Sequence, residues 1–280
     1  MKSIFLLSQM AVMFVLVSCA TLNVDKRRQT ASSIAGHSNF KPFNYQGAMF
    51  NFFGYIKEGT DASYPIVYIE GDGFSWVNKH TVSPNPTPKN PVALRLAAID
   101  TSSSVIYMAR PCQFVDLENE KNCRQDYWTN ARFAPEVIQG FDTALNDMKH
   151  RYGSIGFHLV GFSGGGSIAV LLASVRDDIQ SVRTVAGNLD HVALHRDKGV
   201  SQLTKSLNPI DVAQRTNNIS QMHFSGQNDR VVPSWVTQNF VRAADNPKCV
   251  KMNVISNTSH AQGWEKMWPS MHQSLSGCSL

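Results

Sequence analysis

The chain has 280 residues and a formal charge of +5. Once an N-terminal leader is set aside, the roughly 262 residues that follow are enough to bury about 70–75 % of the unfolded chain's surface in one domain. The basic residues are dispersed rather than clustered on one element, which argues against nucleic acid as a partner, and no internal repeat or low-complexity tract appears.

At the N-terminus, Lys2 supplies a positive charge. Ile4 to Val17 is apolar but shorter than the roughly 20 residues of a membrane span, and small residues follow. Residues 1–18 therefore read as a signal peptide. Leu16-Val17-Ser18-Cys19 resembles a bacterial lipobox. The resemblance implies cleavage before Cys19, its acylation, and attachment to a bacterial membrane through acyl chains. Ala20 resembles the outer-membrane sorting pattern, so the expected location is the cell envelope, facing periplasm or surface. Plain secretion with an incidental cysteine is the alternative. Residues 19–41, polar and without periodicity around Lys26-Arg27-Arg28, read as a flexible tether, and residues 42–280 as the folded domain.

Met49 to Ile56 alternates as a sheet-edge strand. Ile66 to Ile69 is an apolar strand running into Glu70-Gly71-Asp72-Gly73-Phe74, a glycine turn whose Asp72 or Gly73 amide is a candidate oxyanion donor; an ordinary turn is the other reading. Ser83 to Pro91 holds four prolines and reads as a stiff loop over the sheet's C-terminal edge. Asn90-Pro91 reads as cap and first residue of a helix over Val92 to Ile99, with Val105 to Met108 the next strand. The insert Arg110 to Ala134 then leaves the same edge and is expected to wall a substrate site. Within it, Arg110 and Arg132 either recognise an anionic group or brace the loop through Asp126, Glu136 or backbone carbonyls. Trp128 is a pocket candidate or loop core. A further helix begins near Pro135.

The sharpest signal is Gly161-Phe162-Ser163-Gly164-Gly165, placed between a buried strand, Ile155 to Val160, and an apolar helix, Ser167 to Val175. A serine hydroxyl becomes nucleophilic when a strained strand-to-helix turn presents it to a base and to backbone amides. Gly164 would give one of those amides, and Phe162 is a pocket candidate. The competing reading of Ser163, a helix-capping serine, leaves Gly164 to Gly166 unexplained. Val182 to Ala186 is the next strand, followed by Asp190 and His191; Asp190 is an alternative acid, and His191 a pocket residue or a helix-start histidine. Residues 191–214 leave room for a small cap only, hence an open site suited to short or polymer-attached acyl groups. Gln221 to Ser225 precedes Asp229, and Met252 to Ile255 precedes His260, each in the loop after its strand. Those are the positions that an orienting acid and a base require when the serine comes first.

These residues resemble the α/β-hydrolase superfamily. The runs Tyr68 to Gly73, Arg110 to Gln113, Tyr127-Trp128-Thr129, Gly161 to Gly166 and Ala186 to Asp190 look like those of bacterial members of an esterase-like branch. The resemblance implies an α/β fold: a mostly parallel, eight-stranded central sheet flanked by helices, one domain with a small cap. It implies Ser163, Asp229 and His260 as a triad that hydrolyses an ester, thioester or amide, with no cofactor. A non-catalytic binding lipoprotein of the same fold is the alternative from another class. Setting Cys19 aside, Cys112, Cys123, Cys249 and Cys278 are an even set in an oxidising compartment, with Cys112–Cys123 and Cys249–Cys278 favoured of three connectivities. No metal is expected, on the reading that neither C-x-x-C nor H-x-x-x-H spacing appears.

Overall fold

The computed structural model of the chain describes residues 24–272 and Cys278; the signal peptide and Cys19 lie outside the described residues. In chain order the elements are α1 (24–37), β1 (Lys41–Gln46), β2 (Asn51–Lys57), β3 (Ile66–Ile69), β4 (Trp76–Asn78), β5 (Thr81–Val82), α2 (Val92–Ala98), β6 (Val105–Met108), α3 (Pro135–Tyr152), β7 (Phe157–Phe162), α4 (Gly164–Ala173), β8 (Ile179–Val185), α5 (His191–Asp197), β9 (Ser220–Gly226), α6 (Ser234–Ala244), β10 (Val250–Ile255) and α7 (Trp264–Met271). Short 3₁₀ turns occupy Gln125–Trp128 and Pro209–Thr216.

Among the described residues, eight strands form the central sheet in the order β1-β2-β6-β3-β7-β8-β9-β10. From β6 to β10 every pairing is parallel, and β1 and β2 add an antiparallel margin. The inner strands β3 (IVYI) and β6 (VIYM) are buried at every position, as strands covered on both faces must be. Val67 and Ile69 join the core under α3, α4 and α6, whereas Ile66 and Tyr68 join the core under α1, α2 and α7. α3 starts at Pro135, carries Glu136 in its first turn and Lys149, His150 and Arg151 in its last, and ends at Gly153 in the left-handed region. α4 is buried along its whole length, which fits its almost wholly apolar and glycine sequence.

Three expectations are corrected. Residues 24–37, read as tether, form a helix that seats Ala31 and Ala35 in the core, and 41–46 form a strand. The strand at 51–57 is not an edge: β1 covers one side of it and β6 the other. Asn90 does not cap α2, since its Oδ1 accepts from Arg95 Nε; the buried Glu70 accepts from the Ala93 amide in the first turn instead. A small hairpin, β4 with β5, was not anticipated. The cysteines pair as Cys112–Cys123 and Cys249–Cys278.

Candidate active site

Parallel strands place the loops that follow them on one edge of the sheet, and α/β folds build their sites there. β3, β7, β9 and β10 are followed by the segments bearing Glu70 to Gly73, Ser163, Asp229 and His260. Ser163 sits at φ 51°, ψ −117°, a region L-residues rarely occupy, between the end of β7 and the start of α4. Two contacts hold the turn: its amide donates to Val185 O at 2.9 Å, and its carbonyl accepts from the Asn188 amide at 3.1 Å. Gly161 and Gly165 must be glycines because backbone crowds both: a Cβ on Gly161 would strike the Gly165 carbonyl, and one on Gly165 would strike the carbonyls of Ile69 and Glu70.

The serine side chain makes no cap to α4. Its Oγ lies 3.0 Å from His260 Nε2, and His260 Nδ1 lies 2.9 Å from Asp229 Oδ2. The Asp229 side chain is fully buried, and its other oxygen accepts from the amides of Val231 (2.8 Å) and Val232 (2.9 Å). With Nδ1–H donated to that fixed carboxylate, Nε2 is left as the acceptor for the Ser163 hydroxyl. The two loops are stitched together upstream, Gln227 N to Ile255 O at 3.0 Å and Asn228 N to Thr258 O at 2.9 Å. Phe162 stands beside the imidazole, ring centroids 5.3 Å apart.

The turn after β3 is built around two carboxyls. Glu70 is completely enclosed: its Oε1 accepts from the Gly71 amide at 2.9 Å and the Ala93 amide at 3.4 Å, and Oε2 accepts from Tyr107 OH at 3.2 Å. Burial outweighs these bonds and pushes its pKa up to about 7. Asp72 takes Arg110 Nη1 at 3.2 Å and Arg132 Nη1 at 2.5 Å. Burial pushes Asp72 up, but Arg132 and Arg110 together hold it below the usual carboxylate range. Its side chain abuts Gly164, where any Cβ would collide with Oδ1. Among the described residues, the amides of Asp72, Gly73 and Gly164 make no hydrogen bond within the fold, which leaves them as donors for an oxyanion.

A cleft of about 430 Å³ opens over Ser163 and His260, and Glu70, Asp72, Gly73, Trp76, Lys89, Arg132, Phe162 and Val231 contribute to its wall. The other pocket candidates lie elsewhere. Arg110 is buried behind the cleft, donating to Asp72 and to the carbonyl of Arg132, and burial lowers its pKa to about 10. Arg132 bonds Thr129 O at 2.7 Å as well as Asp72, so both arginines brace the insert, with Asp72 as the acid instead of Asp126 or Glu136. Trp128 is loop core, donating to Ser83 O at 3.0 Å. His191 lines a separate groove, its Nε2 3.1 Å from Leu207 O. Asp190, the alternative acid, caps α5 through the Ala193 amide (3.1 Å) and holds Asn208 (3.2 Å). The expectation that H-x-x-x-H spacing is absent is corrected: His191 and His195 stand four apart on α5, with His195 Nδ1 bonded to Ser201 O, and among the described residues no three candidate ligands converge.

Comparison with other proteins supports the fold independently. No family model matches the chain, and no curated protein matches its sequence. Solved structures do. An α/β serine hydrolase homologue from Coxiella burnetii superposes with a TM-score of 0.54 at 16 % identity, over 83 % of this chain and 94 % of its own. An esterase of Pyrococcus furiosus superposes at 0.60 with 12 % identity, over 87 % and 94 %. The acylaminoacyl peptidase of Pyrococcus horikoshii superposes at 0.61 with 12 % identity, over 85 % of this chain and 42 % of that longer one. The chain has the α/β-hydrolase fold.

Proposed function

We propose that the protein is a serine hydrolase that cleaves short carboxylic esters or thioesters through an acyl-enzyme, tethered in a bacterial envelope through Cys19. The observation that carries this reading is the hydrogen-bonded row Ser163–His260–Asp229 on a strained elbow. In the first half-reaction Ser163 Oγ attacks the acyl carbon while its proton passes to His260 Nε2. Asp229 holds the imidazole in register and stabilises its cationic form. The negative charge that develops on the carbonyl oxygen is met by the Gly164 amide and an amide of the Asp72–Gly73 turn. The tetrahedral adduct collapses as the ester C–O bond breaks, and His260 returns the proton to the leaving alcohol. Water then repeats the sequence on the acyl-serine, regenerating Ser163.

A carboxylate beside an oxyanion site would oppose catalysis by simple repulsion. The pairing of Asp72 with two guanidinium groups removes that objection, because the cluster carries a net positive charge where negative charge must accumulate. The cleft volume is at the lower end of small-molecule sites, which favours short acyl groups or acyl groups presented on a polymer. An ester series of increasing chain length tests the reading, assayed beside Ser163→Ala, Asp229→Asn and Asp190→Asn. Turnover should fall about 10⁴-fold or more in the first two and stay near wild type in the third. Loss of turnover in Asp190→Asn with retention in Asp229→Asn would reverse the assignment of the acid, and retention in Ser163→Ala would end the hydrolase reading.

A further inference from the structure

We propose that the β4–β5 hairpin beside the catalytic cleft is a membrane-contact surface that seats the cleft mouth on an anionic bilayer. The inference rests in part on the envelope location proposed above. It begins with exposed apolar side chains in one place. Trp76 is 42 % exposed and Val77 50 %, both on β4, and Val231, which shares the cleft wall with Trp76, is 53 % exposed. The hairpin has only three residues in one strand and two in the other and pairs with no other strand, so it contributes nothing to the main sheet.

The hairpin's own stretch of chain carries charge of one sign, while Asp25, Asp116 and Glu118 lie across the neighbouring cleft beside Arg27 and Arg28. From Gly73 to Pro91 the sequence contains no acidic residue and carries Lys79 and Lys89. Among the described residues neither lysine is paired with a carboxylate: Lys79 is exposed on the hairpin, and Lys89 lies 3.7 Å over the Phe74 ring. A tryptophan with a neighbouring aliphatic residue and free lysines is the composition that partitions into the headgroup layer of an anionic membrane. A second copy of the chain is the poorer occupant, because three exposed apolar side chains fall well short of the roughly 800 Å² per partner that a stable dimer buries.

The position of the N-terminus points to the same face. Val24, at the start of α1, lines a second cleft of about 490 Å³ together with Val77, Phe74 and Lys89, and the last two also wall the catalytic cleft. Arg27, in the first turn, donates to the carbonyls of Asn85 and Thr87 and lies 4.8 Å from the Phe74 ring centroid. Cys19 precedes Val24 by five residues, and five residues reach at most about 18 Å. An acyl chain on Cys19 would thus enter the bilayer beside the hairpin, on the side of the molecule that carries Ser163. The substrates this geometry favours are esters displayed at the membrane surface.

The test uses the chain from residue 20 onward, which retains the whole folded body, with a polarity-sensitive fluorophore on a single introduced thiol. Because Cys112–Cys123 and Cys249–Cys278 are bonded, Val77→Cys and, as control, Ile155→Cys each give one free thiol. Ile155 is 57 % exposed and precedes β7, at the opposite edge of the sheet. On titration with phosphatidylcholine vesicles containing about a third phosphatidylglycerol and a lipid-borne quencher, the Val77 probe should shift to the blue and be quenched severalfold more than the Ile155 probe. Adding Lys79→Glu should weaken the Val77 response about tenfold. No response at Val77, or equal responses at the two positions, would overturn the proposal. Hydrolysis of a water-soluble ester by Lys79→Glu should equal wild type, so failure of the hydrolase reading would appear in that assay and failure of the membrane surface in the vesicle titration.

Discussion

At the residue scale the protein's chemistry depends on a few side chains whose protonation is set by their neighbours. Glu70 is the clearest case. Burial raises it from 4.5 to about 7, so the folded chain binds this proton more tightly than the unfolded chain does. The stability it contributes is complete below pH 4.5 and is lost as pH rises through 7. Between about pH 5 and about pH 8 the melting temperature of the wild type should therefore fall relative to Glu70→Gln, which has nothing to ionise; parallel melting curves across that range would contradict the assignment. Ser163, Asp229 and His260 were legible in the sequence because each is announced locally, by glycines around a strand end or by a polar turn after an apolar run. The roles of Glu70 and Asp72 were not. Their partners are remote in the chain, Ala93 for one and Arg132, 60 residues on, for the other, and no local pattern records such a pairing.

At the scale of elements, the parallel strands were readable to within about three residues, most sharply β3 and β6, because a strand buried on both faces is a continuous apolar run. α1 was not, since its buried face is made of Arg27, Ala31 and Ala35, which carry too little hydrophobicity to show a helical period. Its importance lies in what it holds. Phe74 is flanked by Arg27 and Lys89, and the proline-rich loop takes two hydrogen bonds from Arg27, so α1 stiffens one wall of the cleft. Arg27→Ala should raise KM more than it lowers kcat, with a stability loss of about 1.5–3 kcal/mol; an unchanged KM would mean that the wall is rigid without the helix. The insert 110–134 is braced in two ways, by Cys112–Cys123 and by the two arginines on Asp72. Replacing both cysteines with serine should cost about 2–4 kcal/mol by denaturant unfolding, and equal stability of the two forms would show that the arginines suffice.

For the molecule as a whole, the two cores on opposite faces of one sheet hold four loops at a common edge, and that edge is where every proposed catalytic group lies. A mostly parallel, eight-stranded sheet flanked by helices could be expected from the resemblance alone; the N-terminal helix and the hairpin that flank the cleft could not, because neither belongs to the repeating strand–helix pattern. The arrangement has one purpose in this account, to make a single serine nucleophilic. The most direct test of that is mass spectrometry after brief exposure to a fluorophosphonate probe, which reacts with an activated serine and ignores an ordinary one. One adduct per chain is expected, on the peptide containing Ser163, and it should disappear in His260→Ala. An unmodified protein, or an adduct on any other serine, would contradict the nucleophilic role of Ser163.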